Sequence, residues 1–220
     1  MRAPLRPSHR LLDTHFTISA RVRLHRDLPM CVGTCRRRRP DGTLCGKPLD
    51  KKGFHARSCP VGGWLVRRHN NGCDVLADWA EEDCNCTVFR EQVLPLANPD
   101  HGQARMDLIV YSPLVAGPMH VDLTVVSALS AEAQAKNAAL HDGVAAKLAE
   151  DDKKVASPHC RLMSSAVEDH GRLGEAAISF IKLIAPKDLT KRSLAIARLH
   201  QSLAAALQRS SADAVIAATT

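Results

Sequence analysis

The sequence predicts an α/β protein in which a mixed sheet is flanked by helices and preceded by a small zinc-stapled module. Two runs at 105–111 and 121–126 alternate apolar with polar residues at the period of β-strands, and the loop between them contains Gly117-Pro118. Helical patterns precede and follow these runs, which gives the order helix, strand, strand, strand, helix, strand, helix. A cysteine and histidine cluster lies ahead of all of them.

Composition limits the class of protein. A chain of 220 residues suffices for one substantial domain and a small satellite, and aromatic residues at 3% leave an aliphatic core. No run approaches the length of a membrane span, so no membrane partner is expected. The first ten residues lack the apolar core of a signal peptide, which predicts an intracellular protein. The oligomeric state stays open.

Positive charge is concentrated near the N-terminus. Residues 1–60 contain 14 Lys and Arg against 4 Asp and Glu, so the remaining residues sum to minus three of the net +7. Arg36, Arg37, Arg38 and Arg39 are consecutive. This distribution favours a polyanionic partner, most simply nucleic acid. The alternatives are a solvated basic tail and a nuclear import signal.

The cluster comprises Cys31, Cys35, Cys45, His55 and Cys59. Three thiolates and one imidazole suit tetrahedral zinc, and either Cys31 or Cys35 can supply the first thiolate. Disulfides are the competing explanation for eight cysteines. Without a secretory signal, a reducing compartment and metal binding are favoured.

These patterns divide the chain into four parts. Residues 1–30 form a basic segment that has little to bury and is expected to end a preceding domain. Residues 31–62 form the zinc module, 63–185 the α/β core, and 186–220 a C-terminal helix with a frayed tail.

The remaining elements of the core follow in order. A helix begins after Gly62-Gly63, with His69 and Cys73 on one face, and ends near residues 83–85. The other predicted elements are a strand at Thr87–Leu94, an Ala-rich helix from Ser130 to about Lys154, a strand from Arg161 to Val167, and helices at Leu173–Leu183 and Leu189–Leu207.

Each strand of the central pair contains an aspartate. Asp107 and Asp122 interrupt runs of Val, Ile and Leu, although aspartate is rare inside strands and an unpaired buried carboxylate is costly. Two such residues on adjoining strands could share a divalent cation, which would offset that cost. Alternatively, one or both face solvent at an edge.

With these elements placed, the chain resembles a known family. The segments CGKPLD (45–50), GFHARSC (53–59), VGGWLVRRHN (61–70) and VEDHGRLG (167–174) occur in one order around the two aspartate strands. This order is similar to the C-terminal part of non-LTR retrotransposon polyproteins, which carry a restriction-like endonuclease after the reverse transcriptase. The resemblance covers roughly residues 31–184. It implies a PD-(D/E)xK restriction-endonuclease-like core behind a CCHC zinc module.

The resemblance also implies roles for the acidic and basic residues of the core. Asp107 and Asp122 take the two acidic positions that hold catalytic Mg²⁺. Lys153, or alternatively Lys147, stands in for the catalytic lysine from the following helix. Glu91 is either an accessory carboxylate or an exposed strand residue.

The binding residues and partners follow from the same resemblance. The implied zinc ligands are Cys35, Cys45, His55 and Cys59. Arg68, His69 and Asn70 match an ArgHisAsn box, and these residues and Arg36–Arg39 are expected to bind DNA. The implied function is nicking of target DNA to prime reverse transcription. DNA is the expected partner, element RNA a further candidate, and the nucleus the expected location.

Three positions depart from the family pattern. Met106 replaces the proline before the first aspartate, Thr124 occupies the position of the lysine, and Ser157 falls where a tyrosine would be. These departures concern activity more than fold. They support an alternative in which the chain is a decayed, zinc-containing fragment that binds nucleic acid without cleaving it.

Overall fold

Four strands form a single mixed sheet. The computed structural model describes residues 11–94, 104–128, 144–156 and 162–220. The sheet order is β1-β2-β3-β4, in which the pairs β1–β2 and β2–β3 are antiparallel and the pair β3–β4 is parallel. The predicted mixed α/β class is therefore confirmed. The strands are β1 (Thr87–Leu94), β2 (Ala104–Tyr111), β3 (Met119–Val126) and β4 (Leu162–Glu168).

Among the described residues, four helices lie near the predicted places, and two further helices within the first 60 residues were not predicted. Of the Ala-rich helix, residues 144–156 are helical, whereas the predicted start at Ser130 lies outside the described residues. The helices are α1 (Asp13–Arg23), α2 (Phe54–Ser58), α3 (Trp64–Glu82), α4 (Val144–Ala156), α5 (Glu175–Ile184) and α6 (Leu189–Thr219). α3 contacts β1, β2 and β3, whereas α4 contacts β3 and β4.

The main core is formed by the sheet and the helices α3, α5 and α6. Alternation along the strands buries Leu108, Val121 and Leu123 in this core. α3 approaches β3 closely at Gly72, where a Cβ would lie 3.0 Å from Cδ2 of Leu123. A side chain at this position would therefore require the Leu123 side chain to shift by a few tenths of an ångström.

The C-terminal segment corrects the prediction of a frayed tail. α6 continues to Thr219, and its last turns bury Ala212, Val215 and Ala218 in a second core built on the cysteine module. The small side chains allow the helix to approach the module closely. Because they give little hydrophobic periodicity, the sequence favoured fraying.

The N-terminal helix joins the same second core. α1 buries Ile18 and Val22 there, and its His15 Nε2 lies 3.0 Å from Asp213 Oδ1 on α6. The prediction that residues 1–30 have little to bury is therefore wrong for the described part of this segment. Their apolar partners are supplied by α6, which is nearly 200 residues away in sequence.

One buried carboxylate connects three elements of the α/β core. Glu150 on α4 is 1% exposed and accepts hydrogen bonds from the backbone N–H groups of Ala166, Ala176 and Ala177 at 3.1, 2.9 and 3.0 Å. The carboxylate thus accepts from N–H groups at the start of α5 that have no partner within the helix. It also lies at the positive end of the helix dipole, which favours a negative group. A Cβ at Gly174 would lie 2.3 Å from Oε1 of Glu150, so the glycine makes room for this contact.

Among the described residues, no helix combines the length and the apolar character that crossing a membrane requires.

We expect Glu150→Ala to lower the free energy of unfolding by about 3 kcal/mol, because it leaves buried N–H groups without an acceptor. Urea denaturation would measure the loss. The matched control is Asp152→Ala, which removes an exposed carboxylate from the same helix. We expect the control to change stability by less than about 0.5 kcal/mol. Equal losses in both variants would contradict the role given to Glu150.

Candidate functional site

Two loops and a short helix bring the module's ligands together. Cys35 and Cys45 lie on facing segments joined by the bridges Arg38–Leu44 and Thr34–Pro48, and the Gly46 N–H donates to the Cys35 carbonyl at 3.1 Å. His55 and Cys59 are contributed by α2 and the residue that follows it. The Asp50 carboxylate accepts from the backbone N–H groups of Phe54 and His55, which fixes the start of α2.

The distances in this cluster suit a tetrahedral metal ion. Zinc bonds of about 2.3 Å to sulfur and 2.05 Å to nitrogen place two sulfurs about 3.8 Å apart, and a sulfur and a nitrogen about 3.6 Å apart. The Sγ atom of Cys59 lies 3.9 Å from that of Cys35 and 3.6 Å from that of Cys45, and Cys45 Sγ lies 3.4 Å from His55 Nε2. This buried cluster is therefore suited to a metal such as zinc.

Burial influences the protonation of these ligands. It raises the pKa of the Cys35 thiol to about 11 and lowers the pKa of His55, which favours the neutral imidazole that binds metal. A hydrogen bond from the Lys47 backbone N–H is the main cause of the lowered Cys45 pKa. A cation at the cluster would offset the cost of holding thiolates in a buried place.

The geometry separates the two candidates for the first thiolate. Both cysteines are buried in the second core, but only Cys35 has its sulfur within 4.8 Å of the ligand atoms of Cys45, His55 and Cys59. Burial raises the pKa of the Cys31 thiol to about 11. Cys31 is therefore a packing residue here, and Cys35 is the ligand candidate.

The four consecutive arginines do not share one environment. Arg36, Arg38 and Arg39 are exposed on the module, as a role in binding a polyanion requires. Arg37 is buried and donates to the carbonyls of Cys59 at 3.0 Å, Ala56 at 2.6 Å and Ala214. The expectation that Arg37 contacts DNA is thus corrected, because its guanidinium satisfies buried carbonyls.

The ArgHisAsn box divides in the same way. Arg68 is 7% exposed, and its pKa is lowered by burial, although nearby Asp169 opposes this shift. The expectation that Arg68 contacts DNA is therefore corrected, because α3 directs the Arg68 side chain into the protein. Asn70 is exposed, whereas His69 Nε2 lies 3.2 Å from Asp107 Oδ1.

Asp107 occupies an irregular point of the sheet. The pairing of β1 with β2 skips the position between Arg90–Leu108 and Gln92–Met106, where Glu91 has a φ of 49°. The Asp107 side chain contacts the other neighbouring strand, because its carboxylate accepts a hydrogen bond from the Leu123 N–H of β3 at 2.8 Å. Such backbone irregularities are found where a strand redirects a functional side chain.

The two strand aspartates approach each other beside α3. The net pKa of Asp107 is lowered: burial raises it, but contacts with His69 and Asp122 outweigh that effect. His69 also contacts Cys73, with 3.5 Å between Nε2 and Sγ, and the hydrogen bond to Asp107 is the main cause that raises its pKa to about 10. Pairing with Asp107 therefore favours the protonated form of His69.

The lysine position of the expected catalytic set is less well defined. Lys147 is exposed on α4, and Lys153 belongs to the same helix, but its side chain lies outside the described part. Ser157 also lies outside the described residues. Thr124, which replaces the motif's lysine, has a buried hydroxyl without a hydrogen-bond partner among the described residues. Met106 is buried.

A buried ion pair that the sequence did not reveal joins the module to the sheet. Arg57 Nη1 donates to Asp169 Oδ2 at 2.6 Å, and the Ser127 hydroxyl donates to the same oxygen at 2.9 Å. Asp169 belongs to the VEDHGRLG segment and Arg57 lies between His55 and Cys59. The sequence signal was a charge within each motif, but nothing indicated that the two charges meet.

No protein-family model matches the chain, and a search of curated proteins found no match either.

We expect Cys45→Ser to lower bound zinc by about one equivalent per chain, because it removes the thiolate that contacts both Cys59 and His55 in the cluster. Atomic absorption would measure the zinc, and amide hydrogen exchange would report opening of residues 31–62. Cys31→Ser is the matched control, since it changes a buried cysteine of the same module outside the cluster. If Cys31→Ser lost the metal and Cys35→Ser kept it, the assignment of ligands would be wrong.

Proposed function

We propose that the chain is a metal-dependent DNA endonuclease with a PD-(D/E)xK restriction-like core, of the kind that accompanies non-LTR retrotransposon reverse transcriptases. In that role it nicks target DNA and leaves a 3′ hydroxyl that primes reverse transcription. The observation that carries the proposal is the position of Asp107 and Asp122 on the neighbouring antiparallel strands β2 and β3, where each adjoins the paired residues Leu108 and Val121 and the two side chains interact. The exposed arginines of the module and the resemblance of motif order support it.

The carboxylates suit the proposed cofactor. Mg²⁺ prefers carboxylate oxygens, and the Asp107 side chain is 22% exposed, so water and a phosphate have access to it. When bound between Asp107 and Asp122, the cation would lower the pKa of an attacking water and neutralise charge on the phosphate. The sequence-predicted catalytic lysine, Lys153 or Lys147, would orient the water or stabilise the pentavalent phosphorus.

The protein holds its acidic groups ready for this chemistry. The Leu123 N–H fixes one oxygen of Asp107, and His69 contacts the other. Both contacts favour the ionised carboxylate, which is the form that binds a cation. Asp107 is therefore oriented and charged before DNA arrives, so little reorganisation is needed.

The module supplies the proposed docking surface for DNA. Arg36, Arg38 and Arg39 are exposed on one short segment whose turn is held by hydrogen bonds from Arg38 to the Gly42 carbonyl at 3.2 Å and from Arg39 to the Leu44 carbonyl at 2.8 Å. Backbone phosphates are recognised by such cations without reading sequence.

One observation favours a second candidate, a non-catalytic module that binds nucleic acid. Thr124 stands in the position of the lysine, and a buried hydroxyl supplies no positive charge to a transition state. This candidate keeps the fold, the metal-stapled module and the basic surface but does not cleave DNA. Cleavage assays separate it from the first.

We expect the chain to nick supercoiled plasmid with Mg²⁺, and Asp107→Asn or Asp122→Asn to reduce the rate by more than about 100-fold, because each removes an ionised metal ligand. Gel electrophoresis would follow the nicked form. Asp152→Asn, an exposed acid on α4, is the control and should nick normally. Equal nicking by all variants would indicate a contaminant, and no nicking by any would favour the second candidate.

We also expect the triple change Arg36→Gln, Arg38→Gln and Arg39→Gln to weaken DNA binding regardless of sequence. The salt dependence of log K should become shallower by about 0.9 for each phosphate that the variant no longer neutralises. Fluorescence anisotropy at several salt concentrations would measure this. The control replaces Lys182, Lys187 and Lys191, three exposed cations on or near α5 and α6, by Gln. The same weakening in both triples would show that net charge alone controls binding.

A further inference from the structure

We infer that His69, Cys73 and Asp107 form a second metal site that takes a divalent transition ion of the zinc class. The site lies on α3 and β2, apart from the Cys3His cluster of the module. It adds a cation-binding role to Cys73 and replaces the expected contact of His69 with DNA. Its contribution to cleavage rests on the proposed function, whereas binding of the ion does not.

The three donor atoms have the spacing of a zinc site. A nitrogen, a sulfur and a carboxylate oxygen all lie within 4.8 Å of one another. Ordinary zinc bond lengths place nitrogen and sulfur about 3.6 Å apart, and nitrogen and oxygen about 3.3 Å apart. The distances are 3.5 Å between His69 Nε2 and Cys73 Sγ, and 3.2 Å between His69 Nε2 and Asp107 Oδ1. The two separations that involve His69 therefore match those of a tetrahedral ion, and the sulfur and the carboxylate oxygen lie within 4.8 Å of each other.

Local structure holds these ligands in place. His69 and Cys73 are one helical turn apart on α3, so both side chains point from the same face toward β2. The absence of a side chain at Gly72 lets that face approach the sheet. The Leu123 N–H fixes the second oxygen of Asp107 at 2.8 Å, an outer contact of the type that orients metal-binding carboxylates.

The donor set selects the class of ion. Mg²⁺ takes oxygen ligands, whereas thiolate and imidazole favour zinc and its chemical relatives such as Co²⁺. The side chains of His69 and Asp107 are 31% and 22% exposed, so a fourth position is accessible to water or to a phosphate oxygen. Three protein ligands with one open position are typical of catalytic rather than structural zinc.

Metal stoichiometry of the full chain tests the inference. We expect about two equivalents of zinc per wild-type chain and about one in Cys73→Ser, because the Cys3His cluster remains. Atomic absorption after dialysis against a weak chelator would measure the metal. Cys84→Ser is the matched control, since Cys84 is also buried near the end of α3 but belongs to neither cluster. It should keep both equivalents.

A second variant and a second probe keep the test independent of folding. His69→Gln removes the nitrogen donor and should also bind about one equivalent. With Co²⁺ as probe, both variants should lose the absorption of the open site and keep that of the thiolate-rich cluster, while circular dichroism confirms that they are folded. One equivalent in the wild type, or two in both variants, would overturn the inference.

The same preparations distinguish this inference from the proposed nuclease. Two equivalents without nicking in any cation would support the second site and sink the nuclease. One equivalent with nicking that depends on Asp107 and Asp122 would support the nuclease and sink the second site. Two equivalents with nicking, reduced on the order of 10-fold or more in Cys73→Ser, would support both.

Discussion

The structure depends on the buried ion pair between Arg57 and Asp169. Their side chains are 3% and 0% exposed, so both charges are almost entirely removed from water and each requires the other. In sequence, Arg57 lies between His55 and Cys59, two candidate ligands of the module's cluster. Asp169 follows the last strand of the sheet. The pair thereby couples the position of the cysteine and histidine module to the position of the sheet. Removing one partner would leave a buried charge uncompensated.

The candidate metal chemistry of the core depends on a different constraint, the contact between a helix and an irregular strand. Gly72 allows α3 to lie against Leu123, and the interrupted pairing near Glu91 accompanies the turn of the Asp107 carboxylate toward His69. A regular ladder would have paired Asp107 with its neighbours through the backbone. The departure from regular pairing therefore places a carboxylate, an imidazole and a thiol together, with the carboxylate and the imidazole partly exposed.

Much of this arrangement could be predicted from the sequence, because period and composition are local properties. Alternation located β2 and β3, a 3.6-residue pattern located α3, and the spacing of cysteines identified the module. The burial of Arg37 and Arg68 could not be predicted, since a run of arginines carries the same charge whether it faces solvent or buried carbonyls. The contact of His69 with Asp107 spans 38 residues, and that of Arg57 with Asp169 spans 112. Such pairs follow from the relative placement of elements, which local patterns do not contain.

The long helix α6 has a consequence for how the chain assembles. Near its start, the Ala195 carbonyl of α6 accepts a hydrogen bond from Trp79 on α3, in the α/β core. In its last turns, the Ala214 carbonyl accepts from the Arg37 side chain and the Ala218 carbonyl accepts from the Arg36 N–H of the module. Both bodies precede α6 in the order of synthesis. On the ribosome, the module and the sheet can therefore form before α6, which contacts both, has emerged. We expect their mutual orientation to be the last feature of the molecule to become fixed.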